Sequence, residues 1–209
     1  MSDVSVSLIR DMNPMDLRDV VLVHHQAFPD FFMTLLGSSF LRRYYLTVLE
    51  YEKSVSLVCV DVSGNVIGFA VGFAEPDKFY KFFRGKIIQF FLPTLKGFIR
   101  NPFLIRRIMA GFSRVSRAKL RSSSKGLCEL SSIGVAKKGS GAGKLLLKRF
   151  IELCFLKGSK EIMLTTNLNN NDGVIAFYKS EGFIETGTHV RGDREVIEFL
   201  LKNTKNNDN

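Results

Sequence analysis

Apolar positions along the chain switch between two periods, and each switch marks an element. Leu8 to Arg10 close a short strand. Asn13-Pro14-Met15-Asp16 then reads as a helix start, with a capping side chain, proline at the first helical position and an acid in the first turn. Leu17, Val20, Val21 and His24 keep helical spacing up to Phe28-Pro29, and a second helical pattern covers 38–50. Residues 54–61 and 66–73 are β-branched, apolar runs around Ser63-Gly64-Asn65, which predicts a hairpin. Further on, 127–135 reads as a strand, 141–156 as a helix, 160–166 as a strand and 173–180 as a helix. Gly182-Phe183 leads into a last hairpin that ends at Leu200, and a polar, disordered tail follows over 201–209. No internal repeat is visible. The pattern predicts one α/β domain over 1–200.

Composition narrows the class. The chain has 209 residues, 45% of them hydrophobic and 11% aromatic, which suits a packed core and excludes a disordered or collagen-like chain. Its three cysteines, Cys59, Cys128 and Cys154, are scattered in apolar runs without metal-ligand spacing, so reduced core thiols, no disulfide and no metal are expected. The first residues lack a signal-peptide pattern, and the apolar run 31–41 is shorter than the roughly 20 residues that span a bilayer. A cytoplasmic protein is expected. The adjacent His24 and His25 point to different helix faces and do not make a shared metal site.

Charge changes the picture in one place. The net charge is +10, yet 78–125 holds 13 basic residues, no acid and 8 of the 19 phenylalanines, leaving the rest of the chain at −3. Within it, Phe79, Phe82, Phe83, Ile87, Phe90 and Phe91 follow helical spacing up to Pro93. A second stripe, Ile105, Ile108, Met109 and Phe112, runs beside Arg106 and Arg107. This basic helical insertion fits three roles: a pair of helices packed on the core with solvated cations, a surface for a phosphate-bearing substrate, or peripheral contact with an anionic membrane. No helix-turn-helix or aromatic RNA motif accompanies the charge, so nucleic acid is not expected as a partner.

Chemistry concentrates in LCELSSIGVAKKGSGAGKLLLKRF, where a strand feeds a glycine-rich turn that opens a helix. Glycines let the backbone approach a ligand, and the free N–H groups at a helix start attract anions. A Walker A loop fails here, because its first glycine would fall on Lys138 and Leu145 replaces the magnesium-binding hydroxyl. A Rossmann fingerprint fits poorly, since the turn is GxGxG and comes late, after a hairpin.

Lys138-Gly139-Ser140-Gly141-Ala142-Gly143 resembles the R/Q-x-x-G-x-G/A loop of the GNAT superfamily of N-acetyltransferases, with Lys where Arg is usual. Asn171-Asp172-Gly173-Val174-Ile175-Ala176-Phe177-Tyr178, followed by Glu181-Gly182-Phe183, is similar to that family's N-x-x-A-I-x-L-Y helix and its GF, with Val174 at the usual alanine. The order of elements agrees as well. The resemblance implies a mixed, mostly antiparallel sheet flanked by helices, and acetyl-CoA as co-substrate. It implies that the backbone of Ile133 and Val135 binds the pantetheine. The amides of Lys138, Gly139, Ser140, Gly141, Ala142 and Gly143, together with Lys144, would hold the pyrophosphate. Asn171 would cap its helix or touch the coenzyme. Tyr178 falls where the family's general acid protonates the departing thiolate, and Glu129 falls where histone-type members carry their general base.

The acceptor expected from this reading is a small-molecule primary amine. The string AFPDFFMTLLGSSFLRRYY looks like GNAT proteins tied to bacterial surface-polysaccharide synthesis, which points to an amino sugar, nucleotide-linked forms included. A protein amine as acceptor, a non-catalytic CoA-binding module and a membrane-docked module stay open. Oligomeric state is not legible in the chain.

Overall fold

The computed structural model describes residues 6–86, 125–191 and 194–204. Seven strands form one sheet in the order β1-β2-β3-β4-β5-β7-β6. They are β1 (Val6–Asp11), β2 (Ser54–Asp61), β3 (Val66–Ala74), β4 (Leu127–Val135), β5 (Glu161–Asn167), β6 (Ile184–Arg191) and β7 (Arg194–Lys202). Every neighbouring pair is antiparallel except β4 and β5. The helices are α1 (Leu17–Ala27), α2 (Phe32–Leu35), α3 (Ser38–Leu49), α4 (Pro76–Gly85), α5 (Ala142–Leu156) and α6 (Asp172–Ser180). The sheet thus has the mixed, mostly antiparallel character that the family resemblance implied.

Local chemistry accounts for the first helical stretch. Asn13 accepts from the Met15 amide at 2.8 Å, while Asp16 accepts from the Asn13 amide at 2.8 Å, a reciprocal capping box over the 3-10 turn Pro14–Asp16. Asp16 also takes a two-pronged bond from Arg10, at 2.7 Å on each oxygen, and so ties the helix start to β1. The short α2 carries no amphipathic period long enough to be read from sequence.

Two separate apolar clusters cover the two faces of the sheet. On one face α1, α3 and α4 bury Leu17, Val20, Tyr45, Phe69, Phe73, Phe79 and Phe83. On the other, α5 and α6 bury Cys128, Leu130, Leu146, Leu147, Phe150, Tyr178 and Phe199. The described start of the basic segment is therefore a packed helix: Phe79 and Phe83 of α4 are buried, and the Phe79 ring stacks on Phe73 with centroids 3.6 Å apart. Ile87, Phe90, Phe91, Pro93, Ile105, Arg106, Arg107, Ile108, Met109 and Phe112 lie outside the described residues. The sheet runs two residues past Leu200, to Lys202, and Asn203 donates to the Lys160 carbonyl at 2.9 Å, so the tail begins later than its polarity suggests.

All three cysteines are free and buried. Cys128 and Cys154 meet at 3.2 Å between their sulfurs, a proximity that a spacing of 26 residues does not announce. His24 is buried against Phe28, Tyr45 and Phe69, while His25 bonds Ser38, so the two rings do face different surroundings. Burial pushes the His24 pKa down to about 4, with His25 adding to the shift, and the ring is neutral.

Candidate active site

The site is organised by a fork in the sheet. The first half of β4 pairs in parallel with β5, from Leu127 opposite Glu161 to Leu130 opposite Leu164, and there the pairing stops. β4 continues to Val135 along β3, and β5 continues to Asn167 along β7. Between them, β4 presents an unpaired edge over Ser131–Val135, on which Ile133 and Val135 both lie. Backbone N–H and C=O groups left free this way need partners, and an extended amide-bearing chain could supply them.

A bulge makes the fork. The β3–β4 register slips between Val71 opposite Ser132 and Gly72 opposite Leu130, so Ser131 is an extra residue. One inserted residue flips every later side chain to the other face. Before it, Cys128 and Leu130 belong to the α5 side; after it, Ile133 and Val135 do. On the opposite face Tyr44 meets Ser131 at 2.6 Å, and the Tyr45 hydroxyl, 2.6 Å from His24 Nδ1, faces the Ser132 side chain. Two consecutive tyrosines of α3 thus face two consecutive serines at the bulge. At Gly72 a Cβ would lie 2.2 Å from the Glu129 carbonyl and 2.5 Å from the Phe150 ring, so the approach of α5 needs glycine there.

Past Val135 the chain turns through the glycine segment into α5. Gly139 and Gly141 adopt φ of 78° and 77°, left-handed values that glycine takes without penalty. A Cβ at either would meet nothing within 4 Å, so both face open space. Gly141 is the N-cap of α5 and gives no side-chain cap, which leaves the N–H groups of Ala142, Gly143 and Lys144 without partners inside the helix. Ser140 Oγ donates to the Lys137 carbonyl at 2.9 Å and braces the turn. Lys138 is exposed, whereas Lys144 pairs with Glu181 at 2.9 Å, which ties the start of α5 to the end of α6. The donor set fits an anionic group such as a pyrophosphate.

Asn171 does not cap α6 with its side chain. Its Nδ2 donates instead to Thr166 Oγ1 at 2.9 Å and to the Asn167 carbonyl at 2.8 Å, anchoring the helix start on the end of β5. Tyr178 lies at the other end of α6, packed on Phe177, Phe183 and Phe199. Phe199 is the register partner of Leu164, the last β5 residue to pair with β4, so Tyr178 sits over the branch point. Its hydroxyl has no hydrogen-bond partner among the described residues. Burial pushes the phenol up, which keeps it protonated and able to donate.

Glu129 lies next to Leu130 but on the opposite face, half-buried beneath α3 and α4. Tyr80 donates to its Oε1 at 2.7 Å. Burial pushes the carboxyl up, Glu198 adds to that, and the Tyr80 bond and the Arg191 guanidinium oppose it. Tyr44 is pushed up to about 12, chiefly by burial. The acid and the phenol of Tyr178 therefore flank the fork from two sides and do not touch. Tyr44, Tyr80, Ser131, Arg191 and Glu198 escaped the sequence reading. Tyr80 was hidden in an apolar stripe, and the Tyr44-Tyr45 and Ser131-Ser132 doublets carry no meaning until they face each other.

Among the described residues there is no cluster of three metal-ligating side chains, and no helix is long and apolar enough to cross a membrane. A sequence model of the acetyltransferase (GNAT) family matches residues 107–183, which contain the glycine turn and the Asn171–Tyr178 helix. Solved structures agree in fold across nearly the whole chain. A ribosomal-protein-alanine N-acetyltransferase from Brucella melitensis is 18% identical, with a TM-score of 0.61 over 94% of this chain and 100% of that one. A phosphinothricin acetyltransferase from Sinorhizobium meliloti, crystallised with AcCoA, is 15% identical, with a TM-score of 0.60 over 95% and 88%. An acetyltransferase of the GNAT family from Streptococcus pneumoniae is 16% identical, with a TM-score of 0.58 over 94% and 99%.

Proposed function

Because residues 107–183 match the acetyltransferase (GNAT) family model and the fold agrees with that of solved acetyltransferases, we propose that this chain is a GNAT-type enzyme that moves the acetyl group of acetyl-CoA to a primary amine of a small molecule, with amino sugars as the leading acceptor class. The observation that carries the reading is the fork between β4 and β5. Its free edge leads directly into an uncapped helix start, with an acid on one side and a buried phenol on the other.

In this reading the backbone of Ile133 and Val135 holds the amide-bearing arm of the co-substrate. The amides of the glycine turn, with Lys138 beside them, hold its pyrophosphate. The acceptor nitrogen attacks the thioester carbon, a C–N bond forms and the C–S bond breaks. Glu129 takes the proton that the ammonium loses before attack, directly or through a water; Tyr178 gives its hydroxyl proton to the departing sulfur, and the second proton that the nitrogen sheds as the amide forms restores the phenol through solvent. A raised carboxyl pKa suits the first task and a phenol held in its protonated form suits the second. The side chain of Lys144 contributes less than its position suggests, because Glu181 already engages it.

The deciding experiment joins calorimetry with acetyl-CoA to thiol release across amino sugars, polyamines and peptides. Wild type should bind acetyl-CoA and turn over an amino sugar best. Gly141→Val should abolish binding, since its φ of 77° is strained for any side chain and its Cβ would project into the open space at the turn. Unchanged affinity in that variant would place the coenzyme elsewhere. Preferential turnover of peptides would move the acceptor to protein amines.

A further inference from the structure

We propose that Tyr80 is a positioning residue for Glu129, so that helix α4, which opens the basic segment, sets the orientation and proton affinity of the acid at the fork. The inference rests on the reading of Glu129 as the base and adds to it a residue that neither motif contains.

The geometry begins at Glu75. This residue adopts a left-handed φ of 54°, unusual for a side-chain-bearing residue, and both Lys53 and Lys78 pair with its carboxylate. Its amide donates to the Leu127 carbonyl at 2.9 Å, so the departure of α4 is fixed against the start of β4. One turn on, Phe79 and Phe83 anchor α4 in the core. Phe79 stacks on Phe73, and Phe73 is the register partner of Glu129. Tyr80 crosses Phe73 edge-on at 5.5 Å, and its hydroxyl then falls 2.7 Å from Glu129 Oε1. The phenol's reach is thus set by a ring stack on the strand next to the acid.

The chemistry has one direction. Burial pushes the Tyr80 phenol well up, so it donates and the carboxylate accepts. One carboxylate oxygen is engaged, and among the described residues Oε2 makes no hydrogen bond, which leaves it for an acceptor's proton. The other groups facing Glu129 are Tyr44 of α3, Arg191 of β6 and Glu198 of β7. Among these, Tyr80 is the one hydrogen-bonded to it.

The test reads Glu129 directly and needs no acceptor. In protein carrying carbon-13-labelled glutamate, the resonance lost in Glu129→Gln identifies the residue, and its midpoint is followed with pH. Tyr80→Phe keeps the ring contacts and removes the donor, and should raise the midpoint by about one pH unit. Placing 3-fluorotyrosine at position 80 makes the phenol a stronger donor and should lower the midpoint, with the ring shape retained even if the Phe variant folds poorly. Opposite shifts from the two changes support the proposal, because a packing role has no sign. A midpoint that stays put in the fluorotyrosine protein overturns it. The underlying reading fails separately: a Glu129→Gln enzyme whose thiol-release pH profile matches wild type would remove the base role, whatever Tyr80 does to the titration.

Discussion

The two halves of β4 have the same neighbour on one side and opposite fates on the other. From Leu127 to Leu130 the strand is hydrogen-bonded to β3 and β5, and its Cys128 and Leu130 side chains are sealed in the core under α5. From Ser131 to Val135 it keeps β3 and loses β5. One extra residue at the bulge separates a half paired on both sides from a half whose outer backbone groups are left without a strand partner. Strands usually hide their edges. Here the exposed edge is internal to the sheet, with seven strands on the two sides of it protecting it from other chains.

That division predicts which substitutions cost function and which cost stability. The largest effect should come from Tyr178→Phe, over the branch point. Turnover should fall by about 10²–10⁴-fold with little change in acetyl-CoA affinity, if the phenol is the general acid. Single-turnover thiol release checks this, and full activity would make Tyr178 a packing residue. On the paired half, Gly72→Ala drives a methyl group against the Glu129 carbonyl and the Phe150 ring. Overpacking of this kind costs about 1–3 kcal/mol or more, which should appear as a lower denaturation midpoint. A variant as stable as wild type would mean that both the β3–β4 pairing at Glu129 and the Phe150 ring of α5 give way to the methyl group without cost.

A smaller and more diagnostic effect is expected at Glu129. Its pKa is raised by folding, chiefly through burial, so the stability linked to its protonated form is complete below the unfolded-state pKa and is lost as pH rises through the folded one. Glu129→Gln cannot ionise. It should therefore unfold at a higher temperature than wild type at about pH 8, and the gap should close on acidification below about pH 4. The same variant should turn over more slowly, chiefly below about pH 8, where the amine is protonated and a base matters most. A variant that is less stable at the higher pH would show that the charge is needed for packing with Arg191. The smallest change belongs to Lys144→Ala. Its ion pair with Glu181 is half exposed on the lysine side, so stability should move by less than about 1 kcal/mol. A large loss of acetyl-CoA affinity in that variant would return the lysine to the binding site.

The order of the elements and most of their extents were legible in the chain, because strand and helix periods and local signals at Asn13-Pro14, Ser63-Gly64-Asn65 and the glycine turn are written in neighbouring residues. The turn itself was legible for the same reason: glycine at 139 and 141 is a local answer to a local backbone problem. Its Asn171 partner motif was also legible, though not the bonds of its side chain, which reach back to β5 instead of capping α6. What the tertiary structure alone decided is how distant residues meet. Tyr80 reaches Glu129 across 49 positions and Tyr44 reaches Ser131 across 87, and no period or propensity encodes such separations. The fork depends on them too. A bulge is a mismatch between two strands, so Ser131 becomes the extra residue only when β3 sets the register, and the free edge exists only because β5 pairs onward with β7.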